Sequence, residues 1–462
     1  MRIEDALSER DVHDFWRNSR YFSRPLLSQS GQTVEVIRRG RYNRDAGPDF
    51  RDAVLRLNGT LVQGDIEIHL TARDWYQHGH HADPGYNRVI LHLSCDSEPP
   101  PDIRSEDGRV IPALVIPLHL FGLHGPGVAS AAETASLFDC PLSERSHQQI
   151  LATIEKAARD RLENRIAALA EQLTELSWDQ LLYEQICDAL GFAKNRQPFR
   201  ELARRVPIDL IFNELRLHPP DQACELVTAL LFGAAGFLEK AKDGEKWDPA
   251  VRSYVGPRRV LWQTLQHALQ IQPLPQGSWQ FFRLRPQNFP TRRIAALAEL
   301  VLRFFQAGML ETVLRIVAQK KSAAEVGVEL RRFFIISASE FWRTHYHFKA
   351  GSANRNVEMA NLLGESRAGD LVVNTVLPLL VLYGREAAAG SVANRALEVY
   401  LRFPALQENG ITRAMRKQLG LSGKRRPKGA FAQQGLIHLH KMYCTPLYCE
   451  PCLGLRPQAD GH

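Results

Sequence analysis

The sequence predicts an α+β protein: an N-terminal mixed-sheet domain, then a larger all-helical domain with a cysteine-containing C-terminal end. Three observations carry that prediction. Between residues 45 and 94 short stretches of alternating apolar and polar residues flank Asn58-Gly59, the pattern of strands joined by a tight hairpin. After residue 145 the apolar residues recur at steps of three and four, which is the helical period. The chain then closes on Tyr443-Cys444-Thr-Pro-Leu-Tyr-Cys449-Glu-Pro-Cys452, where two cysteines stand at metal-ligand spacing.

Length and composition set the frame. The chain has 462 residues, 44% of them hydrophobic, enough for two or three domains with sizeable cores. The expected divisions are a mixed-sheet domain at 1–125, a linker at 126–145, a helical domain at 146–440 and a tail at 441–462. Met1-Arg-Ile-Glu-Asp5 is charged from the start, and a secretory leader needs an apolar run there. Leu371 to Tyr383 is apolar but short, with Pro378 inside it, so no membrane span is expected. Seven cysteines without a leader argue for a cytoplasmic protein with reduced thiols. A net charge of +7 permits nucleic acid as a partner without demanding it. Nothing in the sequence indicates a protein partner.

The first domain reads as follows. Residues 9 to 22 form a helix with Val12, Phe15 and Trp16 on its buried face. Gln32 to Arg38, Ala53 to Asn58, Leu61 to Leu70 and Arg88 to Ser94 are strands, and Arg109 to Leu118 closes the sheet. In the strand after the hairpin, Asp65, Glu67 and His69 alternate with Ile66, Ile68 and Leu70. A period of two puts the polar trio on one face and the aliphatic trio in the core. Asp49 stands just before the preceding strand. An acid at a strand entrance and another on the neighbouring strand make a hard oxygen site for Mg²⁺ or Mn²⁺. Such an ion orients a water and stabilises charge on a phosphodiester. His69 is then a third ligand or the base. Arg41 and Arg44, beside Arg38 and Arg39, crowd the approach to Asp49 and could hold phosphates; an ordinary solvated loop explains any one of them equally well. Residues 73 to 87 add Trp75, Tyr76, His78, His80 and His81. His78 and His80 make a possible metal pair, Trp75 reads as core, and His92 reads as a hydrogen-bonded core histidine.

These residues carry two resemblances. Pro48-Asp49 followed by Glu67-x-His69 resembles the PD-(D/E)xK nuclease signature, and the element order helix, strand, strand, strand, helix, strand is the same. The family's lysine falls at His69, which is not a permanent cation. The whole chain, from Ala46-Gly-Pro-Asp-Phe50 to the C-terminal cysteines, also resembles a bacterial family known only as a domain of unknown function. The first resemblance implies a metal-dependent phosphodiesterase with Asp49, Glu67 and His69 as its catalytic and metal-binding residues.

The second domain is helical in pattern. Ile150, Ile154, Leu162, Ile166, Leu169 and Leu173 outline one long helix, and Leu226 to Leu238 is apolar throughout. Arg283, Arg285, Arg292 and Arg293 cluster where a helix with Thr291 as N-cap begins. Guanidinium groups and free N–H groups there attract phosphate; pairing with carboxylates explains them equally well. Phe341-Trp342 to His347 reads as packing, and Asn374 and Pro378 as a kink in a buried helix. Lys424-Arg-Arg-Pro-Lys428 is a basic run suited to generic phosphate contact.

Cys444, Cys449 and Cys452 need a fourth ligand for Zn²⁺ or an iron–sulfur cluster, with Cys140 the first choice and His438 or His440 the alternatives. Some nucleases with the signature above pin the chain end with a four-cysteine iron–sulfur cluster, and the resemblance implies a similar staple, although the cysteine order here differs. The expected function is a metal-dependent nuclease acting on DNA or RNA. Two other readings stay open: an inactive nuclease fold that binds nucleic acid or a protein, and a metallohydrolase of small substrates with His69, His78 and His80 as ligands.

Overall fold

The sheet of the N-terminal region grows from the Asn58-Gly59 turn. Both residues take positive φ, 48° and 87°, as a two-residue turn of matching twist requires. The turn joins β4 (Phe50–Leu57) to β5 (Thr60–Ile68) in antiparallel register with Leu57 opposite Thr60. The structure is a computed structural model and describes residues 7–23, 25–43, 45–95, 102–121, 140–192, 194–239, 247–282, 284–348, 360–425, 427–445 and 449–454. Arg44, Arg283, most of the expected 126–145 linker and the last eight residues lie outside the described residues.

The chain divides into two compact units. The first comprises Met1–Ala157, Asn409–Pro427 and Gly435–His462; the second comprises Ala158–Glu408 and Lys428–Gln434. The expected boundaries therefore move. Helix α3 (His147–Leu173) starts in the first unit and continues into the second. The second unit is an insertion, and the chain returns to the first unit after it. Helical periodicity runs unbroken through Ala157, so nothing local marks the division.

In the first unit α1 (Glu9–Asn18) is followed by β1 (Leu26–Leu27), β2 (Thr33–Arg38), β3 (Arg41–Tyr42), β4 and β5. Then come the short helix α2 (Asp74–Gln77), β6 (Val89–Ser94) and β7 (Ala113–Val115). The seven-stranded sheet has the order β1-β2-β4-β5-β6-β7, with β3 also on β4. Pairing is antiparallel up to β5, and β5–β6 and β6–β7 are parallel. The closing strand is shorter than Arg109 to Leu118. Val12, Phe15 and Trp16 of α1 join Phe50, Leu55, Ile66, Ile68, Leu91 and Leu93 in one core. A smaller apolar cluster of Ala72, Trp75, Tyr86, Val89, Ile103, Ile111 and Ala113 builds up separately. Asp65, Glu67, His69 and His92 are consequently buried too.

The second unit is helical around a single large core that includes Leu226–Leu238. Ile294, Leu297, Val301 and Phe304 are buried as their spacing predicts, on the helix Pro290–Phe304. Its N-cap is Phe289, not Thr291; the Thr291 hydroxyl donates to Tyr346 O instead. Among the described residues one helix, Glu365–Glu386, is long and apolar enough to cross a membrane, and 78% of its apolar window is buried inside the structure. A π-helical turn at Val372–Val376 interrupts it just before Pro378, and Asn374 bonds back to Asp370 O at 3.0 Å.

Candidate metal centre

The site is built at the end of β5. Asp49 and Glu67 bind each other's strand: the Asp49 N–H donates to Glu67 Oε2, and the Ile68 N–H donates to Asp49 Oδ2, each at 3.0 Å. Each carboxylate therefore holds a fixed place, with one oxygen committed to the backbone. The free oxygen of Glu67, Oε1, lies 3.3 Å from His80 Nε2 and 3.5 Å from His69 Nε2. His69 Nε2 is in turn 3.2 Å from His78 Nδ1. One ring nitrogen from each of His69, His78 and His80 lies within 4.8 Å of the other two, so this trio could hold a metal ion. Metal–nitrogen bonds of 2.0–2.1 Å put tetrahedral ligand atoms about 3.3–3.4 Å apart. Three separations, His69–His78, His80–Glu67 and His69–Glu67, at 3.2, 3.3 and 3.5 Å, fall around that value.

Neighbouring groups fix each imidazole. Tyr86 stacks on His80 with ring centroids 3.8 Å apart, and Trp75 meets its edge. His69 Nδ1 is 2.9 Å from His92 Nε2. With a metal on Nε2 of His69, the proton must sit on Nδ1 and point at His92, the outer-shell arrangement that orients metal-bound histidines. His92 is fully buried, and its own Nδ1 has no hydrogen-bond partner. His13, on α1, places Nε2 3.1 Å from Asp49 Oδ2, off the line of a hydrogen bond, and its Nδ1 meets the Tyr42 hydroxyl at 3.3 Å.

Electrostatics follow from burial. Burial and the Asp49 charge push the Glu67 carboxyl up to about 9. Burial, then the surrounding imidazoles, hold His69 far below the ordinary histidine range; His92 and His80 are lowered by burial as well. Burial pulls His13 down, but Asp49, Glu9 and Glu67 outweigh it and raise its pKa. Neutral imidazoles facing one another beside a carboxyl that resists ionisation are what a cation-binding site looks like without its cation.

The family model described as "Protein of unknown function (DUF2851)" matches residues 9–409. The chain belongs to that family. No curated protein matches the chain, and no solved structure does. The matched span of this family member holds Asp49, Glu67, all three clustered histidines, His13 and His92; Cys444, Cys449 and Cys452 lie after it.

Of the residues singled out from sequence, Asp49, Glu67 and His69 come together, and His78 and His80 join them. Asp65 does not: it accepts from the Asp52 N–H at 3.0 Å and faces Arg88. Arg41 pairs with Asp52, so its charge is already partnered. Arg285 is exposed. Arg292 and Arg293 are a correction. Both are buried, and they donate to the carbonyls of Trp342, His345, Asn361 and Leu362 and to Asn288 Oδ1. Guanidinium forks committed to buried carbonyls are not open to phosphate. Sequence reasoning missed His13, whose place on α1 is 36 residues before Asp49. Its only local signal was position: it shares a helix with the buried Val12 and Trp16 and is itself buried.

Proposed function

We propose that the first unit is a metal-dependent hydrolase acting on phosphodiester bonds. His69, His78, His80 and Glu67 would bind the ion, and the Asp49–His13 pair would manage the proton. The observation that carries this reading is the meeting of three imidazole nitrogens within 4.8 Å of one another, two of them beside one carboxylate oxygen. The ligand set is richer in nitrogen than two acids alone, which favours Mn²⁺ or Zn²⁺ over Mg²⁺. The ion would supply a Lewis acid and an activated water. His13, with its raised pKa, would protonate the leaving oxygen. Phosphodiesters are the preferred substrate because Pro48-Asp49 and Glu67-x-His69 resemble the nuclease signature and the chain is basic, at +7.

A second reading, a metallohydrolase of small substrates, is favoured by burial. His69, Glu67 and His80 are 1%, 5% and 9% exposed, and only His78 stands open to solvent. The two readings separate in one experiment. Protein loaded with Mn²⁺ or Zn²⁺ is given single- and double-stranded DNA and RNA, and in parallel small phosphate mono- and diesters. The expected result is cleavage of strands, lost with the metal in Glu67→Gln and reduced about 10²- to 10⁴-fold in His13→Gln with metal retained. Turnover confined to small esters establishes the second reading. A protein that binds no metal at these residues is an inactive scaffold.

A further inference from the structure

The short helix Cys449–Leu453 packs on the turn Pro141–Glu144, whose N-cap is Cys140. The π-helical turn His440–Cys444 packs on that same short helix. Cys140, Cys444, Cys449 and Cys452 therefore reach one place from three separate segments. The thiol of Cys444 feels the other three, and that of Cys452 feels Cys140 and Cys449. None of the four is in a disulfide. Cys452 is buried, and Cys444 Sγ lies 3.8 Å from the thioether sulfur of the buried Met415.

We propose that Cys140, Cys444, Cys449 and Cys452 form a thiolate metal centre that joins the two halves of the first unit. Three features carry it. Cys449-x-x-Cys452 has the spacing at which two thiolates reach one ion. The remaining two cysteines come from other segments, as four-cysteine sites require. The centre also has work to do: residues 140 and 449 lie on either side of the inserted second unit. The alternatives His438 and His440 are set aside, because it is Cys140 that interacts with Cys444 and Cys452. Among the described residues only the histidine trio has three ligand atoms within 4.8 Å of one another. The sulfurs thus stand wider than in a closed site, and side-chain rotation draws them in as the ion binds. Zinc binding is a balanced exchange: four thiols lose their protons to solvent and four sulfur–metal bonds form, with no change of oxidation state. Such binding couples metal to folding.

The test uses the full chain, purified under reducing and anaerobic conditions. Metal and acid-labile sulfide are measured, the absorption spectrum is recorded, and Co²⁺ is then added to stripped protein. Colourless protein with zinc and a thiolate-to-cobalt charge-transfer band identifies a single-ion centre. Brown protein with iron and sulfide identifies a cluster on the same thiolates. Either result supports the proposal if Cys449→Ser and Cys140→Ser each lose it while His69→Ala keeps it. That last variant separates this centre from the imidazole site. Should the serine variants fail to fold, wild-type protein titrated with a thiol reagent is expected to release its metal as four thiols react. Protein without metal or sulfide that gives no thiolate–cobalt band overturns the proposal. So does a band unchanged in both serine variants.

Discussion

Two groups of largely buried polar side chains, one in each unit, are opposite in character, with His78 the exposed member of the second. Arg292 and Arg293 are surrounded by acceptors, and their terminal nitrogens donate to four main-chain carbonyls and one amide oxygen. His69, His78, His80 and Glu67 are surrounded by one another. Ring nitrogen of His69 faces ring nitrogen of His78, and a carboxyl raised to about 9 faces His69 and His80. The first group commits its terminal nitrogens to acceptors within the protein and holds loops together, while each Nε stays without a partner. The second lacks such acceptors, and its three histidines could hold a metal ion. Burial of polar residues alone does not indicate function; mutual incompatibility of the buried groups does.

The largest effect expected from this contrast is on stability. Arg292→Ala strips donors from buried carbonyls and leaves a void, and should cost about 3–5 kcal/mol in denaturant unfolding. Arg292→Lys should recover little, because one ammonium cannot reproduce the planar fork. A loss under 1 kcal/mol in the alanine variant would put the arginines outside the structural class and break the contrast.

The sequence held part of this contrast. The period-two phase of Glu67 and His69 and the Asn58-Gly59 turn are short-range signals, and both are reproduced in β4 and β5. The apolar face of Ile294, Leu297, Val301 and Phe304 is equally local. What the sequence lacked was long-range. The acceptors around Arg292 come from residues 342, 345 and 361, 50 to 69 positions away. Four arginines near a helix start look the same whether phosphate or main chain lies opposite. His13 reaches Asp49 only because α1 lays its apolar face on the sheet. The return of the C-terminal segments to the first unit leaves no mark in composition.

A smaller effect sharpens the comparison at His92. If it is an outer-shell partner of His69, His92→Phe should weaken metal binding about 10- to 100-fold. Global unfolding of the metal-free protein should change little, since an unpartnered buried Nδ1 disappears with it. Unchanged metal affinity by competition titration would make His92 an ordinary core histidine.

The smallest effect is the dependence of stability on pH. Glu67 has a folded pKa raised from 4.5 to about 9, so the folded state holds its proton more tightly than the unfolded chain. That contribution is complete below 4.5 and is lost as pH rises towards 9. The lowered pKa values of His69, His80 and His92 act the other way and cost stability as pH falls below 6.5. Metal-free protein should therefore melt highest near pH 6.5, where the two opposing slopes meet. The stabilisation by added metal should grow with pH, because bound Glu67 must be ionised. In Glu67→Gln the decline above neutral pH should flatten. A metal-free melting temperature that rises steadily from pH 5 to 9 would contradict this.

The central claim is that the three histidines hold an ion, and His78 tests it most directly. It is the exposed member of the trio, so His78→Ala should leave the core intact. Metal content and thermal shift with Zn²⁺ or Mn²⁺ are compared between wild type and this variant, with any thiolate-bound ion common to both. The account expects the variant to carry one ion fewer per chain and to lose the metal-induced rise in melting temperature. Equal metal content and an equal rise would contradict it.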